Sequence, residues 1–506
     1  MKKLLKLFFV LAVLFCANPS IYAQGNTNSS ISGNVYDKDS QTLPGASILA
    51  VHTPSGTRYS ASTDGTGNFS ISNMRVGGPY KITITFVGFS DFSENEVYLQ
   101  LGENKTFKIV LAEQSNELQE VVVKAVRDNT FNSQRTGAQT VINSDKIKAL
   151  PSLSRNIADF ARLTPQAQLR GDDILSIGGQ NNRFNAIYID GAVSNDVFGL
   201  AANGTNGGQT GVSPISVDAI EQFQVSVAPY DVKLSGFAGG AISAITRSGT
   251  NNFEGSAYFL NRDESIAGKT PPSLAGANGR QKLADFTAQT YGVRAGGALI
   301  TDKLFYFINY ERQDNETPQP FDVSTYLGPS GSRIGELRTK LATYGYDAGV
   351  FDNNVRTLVS DKLIAKLDWN INDNHKLSLK HSYVTADELS PSRSSANAIN
   401  FVNGSQTFKS VTNSTALELN SRFGNKFSNN LVVAFTNVDD DRNPAGNPFP
   451  TVRINDGSTR NNINFGAEGF STANLLEQRV LTITDNFEIN VGKNKITIGT
   501  HNEFSQ

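Results

Sequence analysis

Four histidines and one cysteine bound the chemistry open to this sequence. His375 and His381 are the closest histidine pair. In a strand they would share one face, but about 20 Å apart at about 3.3 Å per residue, too far for one metal. His52 and His501 have no histidine–glutamate motif around them, so zinc hydrolysis is not expected. Cys16 lies in the apolar N-terminal stretch, and the chain beyond it has neither a disulfide framework nor a cysteine zinc site. Gly268-Lys269-Thr270 resembles the end of a phosphate loop, but Asp263 stands where that loop needs its first glycine. Asp439-Asp440-Asp441 offers carboxylates to a hard cation such as Ca²⁺ in an outer loop, although a solvated turn is the plainer reading. No nucleophile stands near a base, so neither an enzyme nor a cofactor is expected. The 45 basic and 47 acidic residues leave a net charge of −2, which gives no electrostatic reason for a nucleic-acid partner.

One segment suggests a different chemistry, that of the main chain. In ELQEVVVKA, the run Leu118, Gln119, Glu120, Val121, Val122 and Val123 sets β-branched side chains beside acidic neighbours. Such a run is ready to extend, and an extended segment can add to a partner's sheet by backbone hydrogen bonds. It could equally be the last strand of the domain before it. Pattern alone leaves both open.

The surrounding elements are mostly strands. Residues 1–23 read as an export signal: Lys2, Lys3 and Lys6 precede a short apolar run, and Ala23 is followed by Gln24. The run is too short to cross a bilayer, and the bulky Phe15 argues against lipidation at Cys16. Residues 30–112 alternate short apolar runs with turn signals such as Pro44-Gly45 and Asp64-Gly65, the pattern of a small β-sandwich. Residues 113–129 form a polar linker holding the segment above. Residues 130–250 predict an α+β module with helices at 145–150 and 156–163, the second capped by Ser154 and stopped before Pro165. Its strands are expected at 174–177, 186–189, 222–227 and 241–246, with a Gly/Asn-rich loop over 200–212.

From residue 253 onward the pattern has period two. Leu363, Ala365, Leu367, Trp369 and Ile371 alternate with Lys366, Asp368 and Asn370. Leu377, Leu379 and Tyr383 alternate with Lys376, Ser378 and Lys380, and Leu481, Ile483, Phe487 and Ile489 with Thr482, Thr484, Glu488 and Asn490. Each is a strand with one apolar face. Short turns (Thr301-Asp302-Lys303, Asn372-Asp373-Asn374, Gly424-Asn425-Lys426, Gly492-Lys493-Asn494) alternate with long polar stretches at 263–287, 313–358, 388–411 and 439–476. Brief turns at one end and long loops at the other describe a transmembrane barrel better than a soluble β-repeat. About nine strands fit into 253–506, and single-chain bacterial barrels have even numbers. The expectation is therefore a truncated chain whose barrel is not closed.

Two stretches carry a family resemblance. TLPGASILAV, STDGTGNFSI and GPYKITITFVGF resemble the carboxypeptidase regulatory-like domain, a sandwich of immunoglobulin or transthyretin type. ILSIGGQNNRFNAIYIDGA and IEQFQVSVAPYDVKLSGFAGGAISAITRSGTNNFEGSAY resemble the plug of TonB-dependent receptors and its junction with the barrel, most strongly at Asp190-Gly191 and Gly239-Gly240. The wording PYDVKLSGFAGG, after a sandwich, resembles the Oar-like branch. Together these cover most of 30–310. One departure is Ile177-Gly178-Gly179, where many plugs have Ile-Arg-Gly; Arg170 or Arg183 would have to supply that charge.

The resemblance implies a mainly β protein of the cell outer membrane: periplasmic sandwich, α+β plug, then part of a transmembrane antiparallel barrel. It makes Leu118–Val123 a TonB box and the TonB complex of the inner membrane a partner, alongside outer-membrane lipid and a surface lipoprotein. The implied function is energised import of a substrate the sequence does not identify. The alternative is a surface, adhesion or carbohydrate-binding protein that uses the barrel as an anchor, with Tyr59 and Phe92 as the sandwich's candidate glycan contacts.

Overall fold

The computed structural model describes residues 25–114, 139–150, 152, 155–170, 174–196, 198–227, 231–234, 236–274, 279–470, 474–492 and 494–506. Residues 1–23 and Leu118–Val123 lie outside them.

The first module packs two sheets face to face. Strands β1 (Ser29–Tyr36), β2 (Ser47–His52), β3 (Thr57–Ser62), β4 (Asn68–Met74), β5 (Gly77–Thr85), β6 (Phe92–Leu99) and β7 (Asn104–Val110) form sheets ordered β4-β1-β7 and β3-β2-β5-β6. Alternate residues point inward, so Ile31, Ile48, Ile71, Tyr80, Ile82 and Ile84 are fully buried between the sheets. Tyr59 belongs to this core: it is 6 % exposed, and its hydroxyl accepts the Arg75 N–H at 3.1 Å. Phe92 packs against the same core at the start of β6. Both stand in strands rather than loops, and the burial of Tyr59 corrects its reading as a glycan contact, while Phe92 is half-buried. Polar Thr57, Ser60 and Ser62 hid β3 from the apolar pattern.

The central module is built from β8 (Gln139–Asn143), α1 (Ser144–Ala149), α2 (Ile157–Ala161), β9 (Ala167–Arg170), β10 (Ile174–Ile177), β11 (Ala186–Ile189), β12 (Ala192–Val193), β13 (Ile220–Ser226) and β14 (Ala241–Thr246). Its main sheet has the order β12-β11-β14-β13-β8, with β11 and β14 parallel. Every residue of β11 and β14 is buried, as a covered parallel pair requires. The cap of α2 is Asn156, whose side chain accepts from the Ala158 N–H at 3.3 Å, and not Ser154. The helix starts two residues later than that cap would place it, because an N-cap must reach the N–H two or three positions on.

The remaining elements are β15 (Glu254–Asp263), β16 (Thr287–Ile300), β17 (Leu304–Pro320), α3 (Ile334–Ala342), β18 (Asn353–Asn370), β19 (His375–Ser390), β20 (Ala398–Asn400), β21 (Gln406–Phe423), β22 (Phe427–Pro444), β23 (Val452–Asn455), β24 (Asn462–Phe465), β25 (Asn474–Val491) and β26 (Asn494–Ser505). Nine of them form one antiparallel wall, ordered β15-β16-β17-β18-β19-β21-β22-β25-β26. The edges β15 and β26 are not paired to each other, so the described residues form an open wall and no closed barrel.

The alternation has the sense of a membrane barrel. Leu363, Leu367 and Trp369 are about 40 % exposed on the outward face of β18, while Lys362, Ile364 and Lys366 are buried on the inward face. Asp361 closes the apolar band at the long-loop side, accepting from the Tyr310 hydroxyl at 2.6 Å and the Arg312 guanidinium at 2.8 Å. Strands such as β18, β21, β22 and β25 run 18 residues, well beyond the roughly 10 needed to cross. Their surplus projects beyond the band at the long-loop end.

There the stretches read as polar loops are partly folded. The sheet β20-β24-β23 and α3 enclose a separate core of Tyr346, Phe401 and Phe465, with Phe449 stacked on Tyr346 at 4.0 Å between centroids. Asp439-Asp440-Asp441 is likewise strand, inside β22, and not a turn or a loop cation site. Among the described residues no cluster of three or more histidine, cysteine or acidic groups could hold a metal ion.

Candidate functional site: where the central module meets the wall

The central module sits in the concavity of the wall, held by buried ion pairs beside an apolar contact in which Phe307 and Ile364 of the wall join the module's own core. Lys366 of β18 and Lys380 of β19 are directly paired across the two strands, both inward. Two ammoniums facing each other out of water are unfavourable without an anion between them. Asp190 is that anion: its carboxylate lies 3.2 Å from Lys380 Nζ and 3.8 Å from Lys366 Nζ. Each lysine also donates to a carbonyl of the central module, Lys380 to Ile189 at 3.0 Å and Lys366 to Thr246 at 3.3 Å.

Local sequence aims that carboxylate. Ile189 pairs with Ala192, so Asp190 and Gly191 are the two central residues of a tight hairpin. Both have positive φ, +48° and +77°. This is the geometry that Asp-Gly supplies for type I′ hairpins, and a β-branched residue at either position would be strained. The Thr246 N–H (2.9 Å) and hydroxyl (2.7 Å) then fix the carboxylate. Burial alone would raise the pKa of Asp190; Lys366 and Lys380, with the two Thr246 hydrogen bonds, overcome it and hold it at about 2.

Gly239 and Gly240 serve close approach. A Cβ at Gly239 would lie 2.3 Å from Asn185 Oδ1, and one at Gly240 would lie 2.6 Å from a methyl of Ile177. Both N–H groups are used, Gly239 on Phe184 O at 2.9 Å and Gly240 on Asn185 Oδ1 at 3.1 Å. The pair thus lets β14 start against the turn leading into β11. The motif residues Asp190, Gly191, Gly239 and Gly240 converge on the β11–β14 pair, Asp190 and Gly191 at one end and the glycine pair at the other.

A second ionic contact was not legible in the motifs. Glu311 of β17 faces inward opposite Lys362 of β18, 2.9 Å from its ammonium. It accepts from the Ser216 hydroxyl of the central module at 2.9 Å and from the Tyr258 hydroxyl. Arg155 of the central module reaches the same carboxylate at 3.8 Å, its guanidinium 4.8 Å over the Tyr258 ring. Arg170 and Arg183, expected to replace the missing motif arginine, are both exposed. Arg155 meets the wall instead. Its φ of +50°, unusual for arginine, was invisible in the sequence. Near the long-loop end the Gly/Asn-rich loop touches the wall: Gln209 donates to buried Asp440 at 2.9 Å and accepts from Arg442.

This arrangement positions one body inside another through separable polar contacts. It places no nucleophile beside a base, and its charged groups are spent on each other.

Three family models match the chain: Carboxypeptidase regulatory-like domain over residues 30–112, TonB-dependent Receptor Plug Domain over 132–242, and Outer membrane beta barrel domain over 245–336. The TonB-dependent transporter Oar of Myxococcus xanthus is 25 % identical over 300 residues, which are 56 % of this chain and 26 % of that protein. The outer membrane transporter YddB of Escherichia coli superposes with a TM-score of 0.53 at 14 % identity, over 73 % of this chain and 48 % of that one. The siderophore receptor PirA of Acinetobacter baumannii gives 0.48 at 18 % identity over similar shares. The chain thus spans about a quarter of the length of the curated relative and about half of these structures. With sandwich, plug and barrel wall in this order, the chain carries a carboxypeptidase regulatory-like domain, a TonB-dependent receptor plug domain and outer-membrane β-barrel strands, and it is similar to the TonB-dependent transporter Oar.

Proposed function

We propose that the complete protein imports a substrate actively, powered through the TonB complex, which grips Leu118–Val123 and pulls. The observation that carries this reading is the ionic seating of the plug at Asp190, Lys366 and Lys380. Apolar contact with the wall is made at Phe307 and Ile364, and charged side chains carry the contact at Asp190 and at Glu311. Buried ion pairs gain little net stability, because desolvation offsets their attraction, and they let go once water reaches them. A seat of this kind suits a body that must be displaced and must return. The outer membrane has neither nucleotide nor ion gradient to drive such a displacement, so the work has to arrive through a physical link.

The segment 118–123 lies in sequence between the sandwich and β8, the edge strand of the plug sheet. A pull there is transmitted to the sandwich on one side and to β8 on the other. Outer-membrane lipid would contact the outward faces of Leu363, Leu367 and Trp369, and a surface lipoprotein would cover the long-loop end. The chain itself performs no catalysis in this reading.

The test is to delete residues 118–123 and compare which solutes cells remove from a complex medium. The expected result is a normally inserted protein with one or more solutes no longer depleted. Depletion identical to that of the unaltered strain would refute energised import and favour an anchor or adhesin, which needs no energy.

A further inference from the structure

The sandwich is fitted against the short-turn end of the wall, the periplasmic end of an outer-membrane barrel. Its contacts reach both other bodies. Toward the wall, Asn370 donates to the Thr57 hydroxyl at 2.9 Å, Arg422 to the Ser60 hydroxyl at 3.2 Å, and Asn73 to Asn429 O at 3.0 Å. Toward the plug–barrel junction, Arg75 donates to Ser248 O and Gly249 O, each at 3.3 Å, and the Asn251 N–H donates to Pro54 O at 2.8 Å.

The plug contact is the most specific of these. The side chain of Gln222 takes both main-chain groups flanking one residue of the sandwich, accepting from the Leu101 N–H at 2.9 Å and donating to Leu99 O at 3.3 Å. Gln224 donates to Leu101 O at 3.0 Å and to Gln139 of β8 at 2.9 Å. Val76 and Leu101 of the sandwich bury Ile245 of the plug. Two cavities among sandwich, plug and wall are about 100 Å³ and about 140 Å³, room for a few waters, and a larger one of about 480 Å³ lies between the sandwich and the wall's short turns at Lys426 and Gly492.

Gln224 therefore joins the turn before β7 of the sandwich to the first residue of β8. The chain leaves the sandwich after β7, passes through Leu118–Val123, and enters the plug at β8. A pull on the middle of that tether loads the sandwich and β8 together.

We propose that the sandwich is a second, periplasmic closure of the lumen, a lid latched to the β13 face of the plug and to the wall's short turns, which the pull must lift along with the plug. The proposal rests on the energised-import reading and adds a moving part to it. A substrate that passed the plug would still meet the sandwich across the exit.

Two cysteine pairs in the full-length protein test the lid without a known substrate. The only native cysteine is Cys16. The lid pair is Gly56→Cys with Asp302→Cys, where a Cβ at 56 would lie 3.2 Å from that of Asp302, close to disulfide geometry. The plug pair is Gly207→Cys with Thr412→Cys, at 3.9 Å. Should strain at position 56 prevent assembly, Thr57→Cys with Asn370→Cys, joined by a short bismaleimide, replaces the lid pair. Disulfide or cross-link yield is read on gels of outer membranes from growing cells, with and without TonB. The lid predicts a high yield for both pairs without TonB and a several-fold fall for both with it. Failure of the lid pair to join without TonB, while the plug pair does, overturns the docked lid. A fall for the plug pair alone overturns the coupled motion and leaves energised import standing. If TonB moves neither pair, the import reading falls and the lid goes with it.

Discussion

Asp190 compensates two lysines that would otherwise repel each other across β18 and β19. Replacing it with Asn keeps the Thr246 contacts but removes the carboxylate that both buried ammoniums share, at a cost of roughly 3–5 kcal/mol. Asp190→Asn should therefore release the plug at lower urea, read by hydrogen exchange at β14, and adding Lys380→Met should restore part of the loss. An unchanged midpoint would remove the ionic seat from the account. Because the folded pKa is lowered to about 2, this contribution is fully present above the ordinary 3.8 and is lost only as pH falls through about 2.

His52 behaves differently. Burial first, and Arg75 second, push its pKa well below 6.5, and it is held neutral between the Ser55 hydroxyl at 2.7 Å and the Tyr80 ring. A depressed histidine gives stability that is present above about 6.5 and is lost as pH falls toward the folded value. Lowering pH from about 7.5 to about 5 should lower the protection factors of β2 and β5 in the full-length protein, after correction for the intrinsic pH dependence of exchange, and His52→Gln should flatten that response. Half of the Asp190 site could be read in advance. The turn Asn372-Asp373-Asn374 fixes the register that sets Lys366 opposite Lys380. Their counter-charge could not, because it lies some 180 residues away in another module and no local pattern links them. Arg155 was missed for the same reason.

Among the elements, the wall strands were legible because membrane and lumen impose opposite demands on alternate residues, and period two survives in sequence. The cap over the long loops was not, since Tyr346, Phe401, Phe449 and Phe465 come from separate stretches that each read as polar. The alternation carries its own test. Leu367→Arg places a charge on the outward band of β18 and should cost about 2–4 kcal/mol near its middle, measured by urea titration of folding in lipid vesicles. Tyr344→Arg, 67 % exposed beside the cap, should stay within about 0.5 kcal/mol. Equal effects would mean that the outward face of β18 meets water rather than hydrocarbon.

As a whole, the molecule is three bodies with one tether between the first and second. Wall and plug share charged contacts, the sandwich grips both, and Leu118–Val123 lies in sequence between sandwich and plug. The account turns on that tether being a handle for TonB. A photo-crosslinking residue in place of Val122 in the full-length protein, illuminated in growing cells, tests it most directly. An adduct with TonB that disappears when the neighbouring residues Leu118 to Val121 are deleted is the result expected here. A protein inserted in the outer membrane that yields no TonB adduct from Val122 would contradict it.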